Sequence, residues 1–60
     1  MDYTFEVFRD RTQRYRFRFV SPDGEVLFLC PGHKEKAAVL AAIERIMENS
    51  GRAVVADETT

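Results

Sequence analysis

Arg14-Tyr15-Arg16-Phe17-Arg18-Phe19 alternates a cation with an aromatic ring without a break, and it runs through Val20 into Ser21-Pro22-Asp23-Gly24. Successive side chains of a strand point to opposite faces, so Tyr15, Phe17 and Phe19 share one face and Arg14, Arg16 and Arg18 the other. The aromatic face calls for a cover, and the arginine face for water or a partner. The stretch therefore predicts one strand of an antiparallel sheet that is covered on one side only.

Upstream, Tyr3 to Arg9 reads as a first strand, with Tyr3, Phe5 and Val7 on one face and Thr4, Glu6 and Phe8 on the other. Asp10-Arg11-Thr12-Gln13 is short and polar enough for a hairpin loop but has no glycine to fix its turn type. A register with Val7 opposite Tyr15 places Phe5 against Phe17, Tyr3 against Phe19 and Glu6 against Arg16. Downstream, Pro22 presets φ and Gly24 accepts a positive φ, which predicts a type I turn with a bulge at Gly24. That turn pairs Ser21 with Glu25 and Val20 with Val26. Continued without interruption, it sets Phe19 against Leu27, Arg18 against Phe28 and Phe17 against Leu29.

Pro31-Gly32 ends the third strand, and a helix is expected from Lys34 or Glu35 to Asn49, stopped by a glycine cap at Ser50-Gly51. No good N-cap residue precedes it. Val39, Leu40, Ile43, Ile46 and Met47 fall on one helical stripe, suited to covering the aromatic face. Arg52-Ala53-Val54-Val55-Ala56 reads as a short last strand, followed by a polar tail. The fold class is α+β: a β-β-β-α-β unit, an antiparallel sheet with a helix packed on one face, in a single domain spanning 1–60.

Sixty residues give a small core, because a chain of this size buries only about 60% of the surface it exposes when unfolded. Cys30 and His33 are the only cysteine and histidine, so no internal disulfide forms and no metal site is expected within one chain. A second chain is the remaining support. The net charge of -1 excludes a global attraction to nucleic acid or anionic membrane, leaving only local patches. No stretch approaches the roughly 20 apolar residues of a membrane helix, and with an unpaired thiol the cytoplasm is the expected compartment.

Phe5-Glu6-Val7-Phe8-Arg9-Asp10, Tyr15-Arg16-Phe17-Arg18-Phe19, Gly24-Glu25-Val26, Gly32, Lys36-Ala37-Ala38, Ile43-Glu44 and Asp57-Glu58-Thr59 stand in an order and spacing that resembles the YegP-like proteins, small bacterial and archaeal domains of unknown function. The chain departs from that pattern at His33, where an aromatic is usual, at Glu35, where serine or threonine caps the helix, and at Ala41-Ala42, where Asn-Gly is common. The resemblance implies a single copy of a repeat that pairs with a second copy into one continuous sheet. A homodimer is then expected, with the C-terminal strand Arg52, Ala53, Val54, Val55 and Ala56 exchanged into the partner's sheet.

Cys30-Pro31-Gly32-His33 joins a thiol to an imidazole, yet two residues make neither a zinc site nor a catalytic set, and Cys30 serves equally as a small apolar residue at a strand end. Asp10, Asp23, Asp57 and Glu58 sit in turns or the tail with no base at telling spacing. No catalytic residue, metal or cofactor is expected. The candidate binding face is Phe8, Arg14, Arg16, Arg18, Val20, Val26 and Phe28, which suits a non-enzymatic protein-interaction module. The alternative is weak binding of single-stranded nucleic acid, with bases stacked on phenylalanine and phosphates on arginine.

Overall fold

The computed structural model of the chain describes residues 2–59. Its elements are β1 (Thr4–Arg9), β2 (Tyr15–Val20), β3 (Val26–Leu29) and α1 (Lys36–Asn49), followed by one 3-10 turn at Ser50–Arg52. The strands form an antiparallel sheet in the order β1-β2-β3, so the alternating stretch is the central strand. The α+β class and the covered aromatic face stand as read from the sequence.

Both hairpins close by the same geometry. In the second, the Ser21 N–H donates to the Glu25 carbonyl at 2.9 Å, the Gly24 N–H donates to the Ser21 carbonyl at 2.9 Å, and Gly24 has φ of 91°. In the first, the Asp10 N–H donates to the Arg14 carbonyl at 2.9 Å and the Gln13 N–H to the Asp10 carbonyl at 3.0 Å, with Gln13 at φ of 66°. Gln13 takes the left-handed conformation without being glycine. Asp10 holds it there: Oδ1 accepts the Thr12 N–H at 2.9 Å, the Thr12 hydroxyl at 2.6 Å and the Arg14 N–H at 3.1 Å.

This turn centres on Thr12 and shifts the expected β1–β2 register by two residues. Phe5 lies opposite Phe19, Val7 opposite Phe17, and Glu6 opposite Arg18 rather than Arg16. The shift is even, so every side chain keeps its expected face. The third strand differs more. Val20 pairs with Val26 as expected, but a bulge then puts Phe28 opposite Phe19 and Leu29 opposite Arg18. Beyond the bulge the two faces of β3 are exchanged.

Phe28 consequently joins the aromatic face, its ring 5.3 Å from Phe19 and 6.0 Å from Phe17 between centroids. Tyr3 and Phe5 extend the same layer, at 5.6 and 4.7 Å from Phe19. Such contacts favour offset and edge-on rings beyond the area they bury. Over this layer α1 places Val39, which is completely buried, against Phe17 (2% exposed) and Cys30. Ala42, Ile43 and Ile46 pack around them. Leu40 and Met47, expected in the covering stripe, are instead largely exposed on one flank.

The helix starts at Lys36 after an extended Glu35 that makes no side-chain cap bond. Its end corrects the expected glycine cap: Gly51 does not have positive φ, and the chain continues through the 3-10 turn, with the Ala53 N–H donating to the Ser50 carbonyl at 3.2 Å. The expected last strand is not formed within the chain. Arg52 belongs to that turn, Ala53 to Ala56 pair with no strand among the described residues, and Val54 and Val55 are 87% and 95% exposed. Valine-rich sequence needs a neighbouring ladder before it becomes a strand.

The two hairpins make opposite predictions. Gln13→Gly removes the cost of left-handed backbone and raises unfolding free energy by about 1 kcal/mol, whereas Gly24→Ala lowers it by about 1 kcal/mol. A Cβ on Gly24 would meet no atom within 4 Å, so the loss is conformational rather than steric. Urea denaturation of both variants measures the two signs.

Candidate interaction face

On the side of the sheet away from α1, cross-strand pairing gathers Glu6 and Phe8 of β1, Arg16, Arg18 and Val20 of β2, and Val26 and Leu29 of β3. Leu29 occupies the place expected for Phe28, which the bulge has sent to the aromatic layer. The β3 segment Val-Leu-Phe-Leu is apolar at every position, so it carries no alternation from which the exchange could be read. Val20 is buried between Thr4 and Val26, its neighbours in the ladder. Arg14 lies just before β2, exposed, with its stem against Gly32: a Cβ there would approach Arg14 Cβ and Cδ to 3.0 Å.

The arginines of this face have partners inside the molecule. Arg18 Nε donates to Glu6 Oε1 at 2.6 Å, and its guanidinium stands 4.5 Å from the centroid of the Phe8 ring. Arg18 therefore covers the one aromatic ring that remains on the face. Arg16 Nε donates to the Cys30 carbonyl at 2.8 Å, and its Nη1 lies 3.9 Å from Asp10 Oδ2. A guanidinium bonded to a main-chain carbonyl at a strand end fixes the chain as much as it offers charge.

Cys30 is a structural residue on the aromatic side. Its N–H donates to the Phe17 carbonyl at 3.0 Å, and its Sγ accepts the Phe17 N–H at 3.0 Å. The thiol stands where a strand carbonyl would otherwise accept. Past Pro31 and Gly32 the chain rejoins β2, where His33 and Tyr15 exchange backbone bonds of 2.8 and 2.9 Å. Among the described residues, no three His, Cys, Asp or Glu side chains are grouped as metal ligands.

The Thr12 hydroxyl and the Arg14 N–H hold the Asp10 carboxyl below its ordinary value of 3.8, helped by the Thr12 N–H and the Arg16 charge. Asp23 is lowered by the Ser21 hydroxyl and the Glu25 N–H, and Asp57 by the hydroxyl and N–H of Thr59. These are turn and tail bonds. A carboxylate lowered on folding contributes stability in full above its unfolded value and loses it as pH falls through the folded value. Asp10→Ala should thus flatten the acid limb of the stability profile below pH 3.8, read by thermal melts across pH.

Cys30→Ala leaves the buried Phe17 N–H without an acceptor and should cost about 1–3 kcal/mol in chemical denaturation. Cys30→Ser, which keeps an acceptor, should lose less. An inert Cys30→Ala would remove this structural role.

The model for "Domain of unknown function (DUF1508)" matches residues 10–57. The UPF0339 protein Atu5359 of Agrobacterium fabrum is 50% identical over 58 residues, covering 97% of this chain and 94% of that protein. A UPF0339 protein in the ptx operon 5′ region of Stutzerimonas stutzeri is 30% identical over 50 residues, which cover 83% of this chain but 45% of that protein. The NMR solution structure of a protein from Haloferax volcanii superposes with a TM-score of 0.83 at 32% identity, covering 93% of this chain and 95% of that one.

Proposed function

The chain belongs to the DUF1508 family of domains of unknown function, the YegP-like proteins its sequence resembles, and on that premise we propose that it is a non-enzymatic interaction module that works as a homodimer. The observation that carries this reading is an open edge matched by a loose tail. Val26, Leu27, Phe28 and Leu29 are each about half exposed along the outer strand, and the extended tail presents Val54 and Val55 almost wholly to solvent. An unpaired apolar edge invites another strand, and folded proteins rarely leave one uncovered. Ala53 to Ala56 of a second copy has the length and composition to add to it, as in β-strand augmentation.

Two further features support the reading. A groove beside β3, of about 450 Å³ and lined in part by Phe28, Leu29, Ala42 and Ile46, would be closed by such a strand. A relative from Stutzerimonas stutzeri is more than twice as long as its matched segment, long enough for two such units in one chain. In a dimer the arginine side of the sheet stays available to a protein partner, with Phe8, Arg18, Val26 and Leu29 as its contact surface. Single-stranded nucleic acid on that side is the weaker reading. Glu6 and Asp10 already engage Arg18 and Arg16, Phe8 is capped by Arg18, and Phe28 is on the other side.

Light scattering at micromolar concentration should give the dimer mass for the native chain and the monomer mass for Val54→Asp with Val55→Asp. Exposed as these valines are, the double variant would fold normally if the tail had no partner. A native monomer, or a variant that remains dimeric, would overturn strand exchange.

A further inference from the structure

We propose that one end of the molecule is a docking site for the phosphate backbone of duplex nucleic acid. The end is built from two segments far apart in the sequence. The first hairpin brings Arg9, Arg11, Arg14 and Arg16, and the Tyr15–His33 bridge sets Gly32 and His33 beside them, with Lys34 and Lys36 following into the start of α1. Six of the nine lysines and arginines are thereby concentrated in these segments, against two of the ten carboxylates, Asp10 and Glu35. The remaining described residues carry three cations and eight carboxylates. The side-chain charge is thus +4 at this end and -5 elsewhere, a division that the net charge of -1 conceals.

The chemistry of the end selects its ligand. Arg9, Arg11, Arg14, Lys34 and Lys36 are exposed, and Asp10 is already occupied by the Thr12 hydroxyl and the Thr12 and Arg14 N–H groups. The large exposed apolar residues, Tyr3, Val26 to Leu29, Leu40, Met47, Val54 and Val55, all lie outside these segments. A protein partner would want an apolar anchor here, and a single strand would want an open ring for stacking. Tyr15, within the cluster, is half-buried with Arg9 5.2 Å from its ring centroid, and Phe8, opposite Arg16, is covered by the Arg18 guanidinium at 4.5 Å. Cations without stacking surface or anchor match regularly spaced phosphates, contacted without regard to base sequence. This site does not depend on strand exchange, and it shares only Arg16 with the open sheet face.

The test is fluorescence anisotropy of a labelled mixed-sequence DNA duplex of about 20 base pairs, titrated at about 50 and 200 mM salt, where release of about four counterions predicts a roughly hundredfold loss of affinity. Arg11→Glu with Lys34→Glu, both exposed and outside the sheet, should weaken binding at the lower salt at least about tenfold. Adding Glu44→Lys and Glu48→Lys restores the net charge on the helix and should not restore affinity. Absence of binding by the native protein at the lower salt would overturn the proposal. So would recovery of affinity in the fourfold variant, or binding that survives Arg11→Glu with Lys34→Glu and is lost in Arg18→Glu.

Discussion

The packing of Phe17 beneath Val39 is the contact on which the rest of the structure depends. Phe17 lies at the middle of the central strand, and its ring is the floor on which α1, β1 and the end of β3 meet. Its backbone is held as firmly as its side chain. Val7 pairs with it from one side, while Cys30 receives its N–H through sulfur and donates to its carbonyl from the other. Because Cys30 also packs against Val39, one residue closes the ladder and the core together. A 14-residue helix that meets the sheet through Val39 in its first turn and then through Ala42, Ile43 and Ile46 covers the middle of the sheet and leaves its margins open. Tyr3 and Phe28 at the sheet margins, and Leu40 and Met47 on the helix flank, are left 44–66% exposed. The incomplete cover is a geometric consequence of one short helix over three strands, and it is where a small domain gains most from a second chain.

What could be read from the sequence was whatever had a period or a special residue. Alternation made β2 and its two faces unambiguous, and Gly24 announced its own turn. Where neither signal was present, side-chain chemistry settled the matter after folding. Asp10 replaced the missing glycine by binding three donors around Gln13, and so moved the register by two residues without disturbing the faces. In β3 a run of four apolar residues could satisfy either face, and the bulge chose the arrangement that gives Phe28 aromatic neighbours instead of arginines. Thus Phe28 could not be assigned from sequence, while Phe8, Arg16 and Arg18 could. The same limit applies to Arg52 to Ala56, whose strand-like composition meets no ladder among the described residues.

The arginines of the alternating strand show why an exposed charge is a weak guide to binding. Arg16 anchors the end of β3 through the Cys30 carbonyl, and Arg18 joins Glu6 to Phe8 across β1 and β2. Half-exposed ion pairs of this kind contribute little to stability, on the order of 0–1 kcal/mol each. Their effect is on register and shape. Glu6 opposite Arg18 closes the observed alignment across the two strands, and the Arg18 guanidinium covers an otherwise bare ring. The face is consequently quieter, both electrically and chemically, than its sequence alone implies.

The charge that these pairs do not absorb is concentrated by topology. Residues 9–16 and 32–36 carry most of the cations, and nothing in a linear reading joins the two segments. A pair of backbone bonds between Tyr15 and His33 does so, extending the sheet by one step past the end of β3. That step requires the chain to turn tightly after Pro31, and Gly32 allows it by leaving room for the Arg14 stem, which a Cβ would crowd. Gly32 therefore links two properties of the molecule. It lets the helix begin directly over Phe17, and it brings Lys34 and Lys36 to the hairpin arginines. A larger residue at position 32 would have to displace the Arg14 stem, and so would disturb the junction at which the hairpin arginines meet Lys34 and Lys36.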